Sequence, residues 1–235
     1  MDEPLFMVKN LCVWYQPGKP VLSDFSLYLK KHEVVGIIGL NGAGKTTFLK
    51  TLSGLLGTFQ CDGIWIYGRN TSFRDSIFKN FRYTVFSEDN SFQYFTFWEY
   101  LSYVFSAYKK DKPDVSTLIQ GFHFEDYANM LLKDLSTGNK KKVYLITAFA
   151  LKPELLLLDE PINGLDFTST EFLYQLITDY KEHGTILFSS HILESITLTC
   201  DRVLILDNGK IRQSFEQKEV NAEQIREALH YGNDI

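Results

Sequence analysis

The stretch Gly39-Leu40-Asn41-Gly42-Ala43-Gly44-Lys45-Thr46 fits the spacing G-x-x-x-x-G-K-[ST]. Glycines let successive backbone N–H groups curl around an anionic phosphate, and a helix starting there adds the positive end of its dipole. Lys45 can reach the β- and γ-phosphates of a nucleotide, and the Thr46 hydroxyl can ligate Mg²⁺. The plain alternative is a glycine loop without a ligand. The four fixed positions recur by chance in roughly one chain in a hundred. The predicted strand before the loop and helix after it lower that figure further. The expectation is nucleotide binding along Gly39, Leu40, Asn41, Gly42, Ala43, Gly44, Lys45, Thr46 and Thr47.

A second set of groups belongs with the first. Leu155 to Leu158 is wholly apolar and ends in Asp159-Glu160, so two acids stand at the end of a predicted core strand. Asp159 is suited to hold Mg²⁺ directly or through water. Glu160 can accept a proton from an attacking water, a general-base role that typically contributes about 10²- to 10⁴-fold. An ordinary strand end meeting solvent is the alternative. After Thr185 to Phe188, Ser189-Ser190-His191 puts an imidazole at the tip of another core strand, within expected reach of a γ-phosphate. His32, His123, His183 and His230 read as surface residues.

These groups need a scaffold that brings them together. From Phe6 to Leu29 the pattern is of short alternating strands broken between Gln16 and Pro20, an antiparallel opening. Val34 to Ile38 is a β-branched run leading through the glycine loop into a helix that ends near Leu52, the order of a buried parallel strand. The strands at Leu155 to Leu158 and Thr185 to Phe188 flank a helical segment around Thr170 to Glu182. The result is an α/β core with a mainly parallel sheet, whose ligand chemistry belongs at the carboxyl ends of the strands. Asn90 to Lys133 reads as an inserted helical subdomain. Arg202 to Phe215 reads as strand, Asn208-Gly209 turn and strand, and a polar helix begins near Val220.

Bulk properties remove several classes. With 235 residues and 45% hydrophobic content the chain can build one large domain with an insertion. A net charge of −5 disfavours a dedicated nucleic-acid binder. Cys12, Cys61 and Cys200 are odd in number and far apart, which argues against a disulfide framework or a zinc site. The start Met-Asp-Glu-Pro has no basic region followed by an apolar stretch, and no apolar run approaches the roughly 20 residues that cross a bilayer. The expectation is a soluble chain whose role at a membrane comes through a partner.

Taken in order, these stretches resemble the ATP-binding cassette family from about Val8 to Phe215. Leu135-Ser136-Thr137-Gly138-Asn139, just before a helical run, resembles the family signature Leu-Ser-Gly-Gly-Gln. Asn163-Gly164-Leu165-Asp166 resembles the loop that follows the catalytic acid and crosses a dimer interface. Tyr15 sits where the family carries an aromatic that stacks on adenine, and Ser87-Glu88 where a Gln usually lies. The resemblance implies a P-loop NTPase core with an N-terminal antiparallel β subdomain and a helical signature subdomain at approximately 90–150, all within one domain spanning 1–235. It implies ATP and Mg²⁺ as cofactors, Thr46, Glu88 and Asp159 at the metal, Glu160 and His191 in catalysis, and Tyr15, Ser136 and Gly138 at the nucleotide.

By the same resemblance two subunits, most simply two copies of this chain, bind head to tail, with each glycine loop closing on its partner's signature and two ATP molecules between them. Ser136 begins a helix whose free N–H groups favour an anion. Two anion sites on one chain make sense if they close on one ATP from opposite sides. The implied setting is the cytoplasmic face of the cell membrane, held there by a separately encoded transmembrane permease.

Three departures stand out: Thr137 for Gly, Asn139 for Gln, and Glu88 for Gln, which adds a charge. Some bacterial exporters, including those conferring immunity to lantibiotic peptides, resemble this chain in carrying Glu there. All the acids for hydrolysis remain, so the expectation is an active ATPase. The aromatic stretch from Phe81 to Tyr108 reads as the core of the helical subdomain, with some rings forming a groove for a short helix of the transporter. A DNA-acting cassette would carry a long coiled coil between Thr46 and Leu135, where the span is too short. A ribosome-acting one usually holds two cassettes, and a non-catalytic sensor sits badly with Asp159 and Glu160.

Overall fold

The computed structural model describes residues 3–216 and 221–230. Alternating apolar residues at the start fold as β1 (Phe6–Gln16) and β2 (Lys19–Leu29), antiparallel and joined by a tight turn with Gly18 at φ 77°. The chain then enters a second sheet as β3 (Val34–Ile38), passes the glycine loop, and forms α1 (Lys45–Leu52). It returns to the first sheet through the short strands β4 (Phe59–Gln60), β5 (Gly63–Ile66) and β6 (Arg69–Thr71), of which β4 and β5 pair with β1. Helix α2 (Ser76–Phe81) leads to β7 (Arg82–Val85).

Between β7 and the next core strand come α3 (Phe97–Ala107), α4 (Ser116–Gly121) and α5 (Thr137–Leu151). Thr96 and Glu99 form a reciprocal capping box that starts α3, and the Ser136 hydroxyl accepts from the Asn139 N–H at 3.2 Å to start α5. Then follow β8 (Leu155–Asp159), α6 (Phe167–Asp179), β9 (Thr185–Ser190), α7 (Leu193–Thr199), β10 (Arg202–Asp207), β11 (Lys210–Glu216) and α8 (Ala222–His230).

The second sheet runs β11-β10-β3-β9-β8-β7, parallel throughout except for the β10–β11 hairpin. Every residue of β3, β8 and β9 is buried, because helices or the other sheet cover both faces. Leu155 and Leu157 pack in one apolar cluster with β1, β2 and α1, while Leu156 and Leu158 pack in another with α3, α5 and α6. The two sheets are tied by buried Arg202, which donates to the Tyr28 carbonyl oxygen at 2.6 Å and to Glu33 Oε1 at 2.8 Å.

The strands and helices expected around the glycine loop and the two acids are present, and Asn208 and Gly209 both take positive φ, at 46° and 76°, as a tight hairpin turn requires. Strands β4 to β7 and helices α2 and α7 were not expected: each is short, and β7 opens on a buried arginine. The segment from Asn90 to Lys133 is less helical than expected, with loops around α3 and α4 and two single 3₁₀ turns. Expectations touching Met1, Asp2 and Val220 lie outside the described residues, as does the side chain of His230.

Candidate functional site

Parallel pairing sets the site. Ile38 is in register with Ser190, and Asp159 with Ser189, so the glycine loop, both acids and His191 all leave the same edge of the sheet. The loop can be this tight only with glycine at two places. Gly44 adopts φ 111° against the Leu22 side chain, and a Cβ on Gly39 would stand 2.2 Å from the Leu206 carbonyl oxygen.

Lys45, almost wholly buried, donates from Nζ to the carbonyl oxygens of Gly39 at 2.7 Å and Leu40 at 3.3 Å, and lies 3.7 Å from Glu160 Oε1. Asp159 is fully buried and accepts from three hydroxyls: Thr46 Oγ1 at 3.1 Å to each carboxylate oxygen, Ser87 Oγ at 3.1 Å and Ser189 Oγ at 2.7 Å. Glu160 takes a left-handed backbone, φ 48°. Its N–H donates to Ser189 Oγ at 3.0 Å and to the Ser189 carbonyl oxygen at 3.2 Å. Its Oε2 lies 2.7 Å from His191 Nδ1 and accepts from the His191 N–H at 3.3 Å.

These groups surround a cleft of about 490 Å³ lined by Asn41 through Thr47, Ser87, Glu88, Thr137, Lys141, Glu160, Asn163, Gly164 and His191. Of the residues expected at a nucleotide, Gly39 and Leu40 do not line the cleft, and their carbonyl oxygens accept from Lys45 Nζ. Tyr15 lies at the margin, 54% exposed, with its hydroxyl 3.3 Å from Thr47 Oγ1. Exposed Ser136 and half-buried Gly138 do not line this chain's own cleft, whereas Thr137 does. Gly138 packs closely on the 163–166 loop, its missing Cβ 2.2 Å from the Gly164 carbonyl oxygen.

Sequence reasoning missed Lys141 and Lys142. Lys142 Nζ donates to Asp166 Oδ2 at 2.7 Å. Burial raises the Asp166 carboxyl's pKa, but the bonds from Lys142 and from the Ser169 N–H and hydroxyl outweigh it and hold the group well below the usual aspartate range. Lys141 Nζ donates to the Glu160 carbonyl oxygen at 2.9 Å. Three consecutive lysines at the head of an otherwise apolar helix were the available signal, since a helix packed on most sides must bury some of them.

Residues 22–163 match the family model described as ABC transporter. The chain belongs to the ATP-binding cassette family. This cassette is 38% identical over 213 residues to the putative ABC transporter ATP-binding protein AlbC of Bacillus subtilis (strain 168), covering 88% of this chain and 89% of that protein. Among solved structures it superposes with a TM-score of 0.82 on the ATP-binding subunit of an ABC transporter, at 27% identity, covering 98% of this chain and 95% of that one. It shares its fold, at TM-score 0.79 and 21% identity, with a dimeric cassette in a post-hydrolysis state bound to ADP and Pi, covering 90% of this chain and 98% of that one. The cassette is therefore an ATP-binding ATPase with the P-loop NTPase fold, the subunit type that powers ABC transporters. Cassettes of the family dimerise and pair with transmembrane parts. Among the described residues no helix is long and apolar enough to cross a membrane.

Proposed function

We propose that the cassette drives an exporter by ATP-dependent closure of two copies of itself, beneath a separately encoded transmembrane permease at the cytoplasmic face of the cell membrane. The observation that carries this reading is the convergence of Lys45, Thr46, Asp159, Glu160 and His191 on one edge of the sheet, around one cleft. The exposed helix start at Ser136, outside that cleft, is free to meet the partner's nucleotide. Glu88 at the usual Gln position favours export by its resemblance to certain exporters. The net charge of −5 supports no nucleic-acid partner. The continuous apolar cluster joining α3, α4 and α5 to β8 and β9 supports one domain over 1–235, with the helical part at approximately 90–150.

In this reading the N–H groups from Asn41 to Thr46 and the Lys45 ammonium hold the phosphates, Thr47 and Tyr15 flank the base and sugar end, and Ser136 and Gly138 act on the partner's ATP. Glu160 takes the proton of the attacking water, and His191, already on its carboxylate, orients it and faces the γ-phosphate. The donor set suits Mg²⁺: Thr46, Asp159 and Glu88 offer oxygens alone. Among the described residues no three His, Cys, Asp or Glu cluster tightly enough to hold a metal by themselves, which fits an ion completed by phosphate and water oxygens. Bound there, Mg²⁺ would neutralise charge on the β- and γ-phosphates.

Glu160→Gln keeps the shape but not the base. It should leave ATP binding intact and slow hydrolysis by at least about 10²-fold, trapping an ATP-dependent dimer. Size-exclusion chromatography with and without Mg-ATP, beside a phosphate-release assay, checks both, and near-normal turnover moves the base elsewhere.

A further inference from the structure

Lys141 is 3% exposed, and a buried ammonium is costly unless its protons are used. Only one bond from its Nζ is made among the described residues, to the Glu160 carbonyl oxygen at 2.9 Å, and no carboxylate there lies within ion-pair distance. Two of its three N–H donors are thus unspent. The side chain lines the cleft with Glu88 and Glu160, and also borders an adjoining cleft of about 210 Å³ reached by Glu88, Asp89 and Tyr144. Burial lowers its pKa, while the charges of Asp159, Glu160 and Glu88 act to keep the proton on.

What it holds is a backbone in need of holding. Glu160 sits at φ 48°, a left-handed geometry that costs a non-glycine residue about 1 kcal/mol or more. Ser189 fixes its N–H. Its carbonyl is fixed by Lys141 and, at a longer 3.3 Å, by the Asn163 N–H. Lys45, the other lysine of the cleft, now lies 3.7 Å from Glu160, and phosphates entering the loop would draw it away. Lys141, anchored to the main chain, stays. Glu88 borders the same two clefts as this ammonium without being paired to it.

We propose that Lys141 is a positioning residue of the hydrolytic site, holding the strained Glu160 backbone by its carbonyl oxygen. The inference rests on Glu160 being the base. A purely structural lysine would lower stability and nucleotide binding along with turnover, so the test separates them. In the full-length cassette, Lys141→Met should lower kcat by about 10- to 100-fold, the span of one charge-assisted hydrogen bond. Its Kd for a fluorescent ATP analogue and its melting temperature should stay close to wild type, and Lys141→Arg, which keeps charge and donors, should turn over faster than Lys141→Met.

Wild-type kcat in Lys141→Met, parallel losses of kcat, binding and melting temperature, or a Lys141→Arg no faster than Lys141→Met would each overturn the proposal. If Lys141→Met does not fold, Lys141→Gln, which keeps a donor without the charge, is read by the same criteria. Glu160→Gln run alongside distinguishes the failures. An active Glu160→Gln removes the base assignment, whereas an inactive one beside a fully active Lys141→Met removes only this inference.

Discussion

Tyr15 shows what one side chain can be asked to do. Its ring is half exposed at the margin of the cleft, and its hydroxyl makes a single long contact, 3.3 Å to Thr47 Oγ1. If the ring face stacks on adenine, Tyr15→Ala should weaken ATP binding by about 1 to 3 kcal/mol, whereas Tyr15→Phe should be nearly silent. Titration with a fluorescent ATP analogue decides it, and equal losses in both would assign the effect to the hydroxyl. At this scale the sequence was legible where backbone spacing alone makes a site: the glycine loop, the two acids and His191 stand where their order implied. Ser189 and Lys141 were not legible, because each acts on Glu160 from a distant segment through a contact that only the strand register and the packing of α5 create.

Among elements, the start of α5 and the 163–166 loop touch more closely than any side chain would allow. Gly138→Ala places a methyl group 2.2 Å from the Gly164 carbonyl oxygen, so the helix start and the loop must part. ATP turnover should fall by at least about tenfold, because a misplacement of an ångström can cost a hundredfold, while ATP affinity of the isolated subunit changes little. An unchanged phosphate-release rate would mean that the loop yields without consequence. The fully buried strands β3, β8 and β9 were readable as near-continuous apolar runs because both faces are covered and no alternation is needed. The short strands β4, β5 and β6 were not, since so few residues carry little pattern and β1, on which β4 and β5 pair, is remote in sequence.

For the whole molecule the question is which copy's signature serves which copy's loop. Ser136→Arg should spare ATP binding to the monomer yet abolish hydrolysis, by filling the gap that faces the partner's phosphates. Mixed with Lys45→Ala subunits, it forms heterodimers in which one site keeps an intact loop and an intact signature only if the pairing is in trans. Partial recovery of ATPase activity in the mixture, absent from either variant alone, supports the head-to-tail dimer, and loss of ATP binding by monomeric Ser136→Arg defeats it. In the sequence this arrangement is legible only through the family resemblance and the two helix starts that favour an anion, because half of each site would come from another molecule.

The left-handed backbone at Glu160 also sets selection against itself. Glycine is the residue most at ease at φ 48°, so random drift toward a sturdier cassette would favour it there, at the expense of the carboxylate. A lineage that retains glutamate at this position is retaining work over durability. A lineage that lost the need to hydrolyse ATP could relieve that strain by letting it go, at the loss of the carboxylate's contacts with His191 and Lys45.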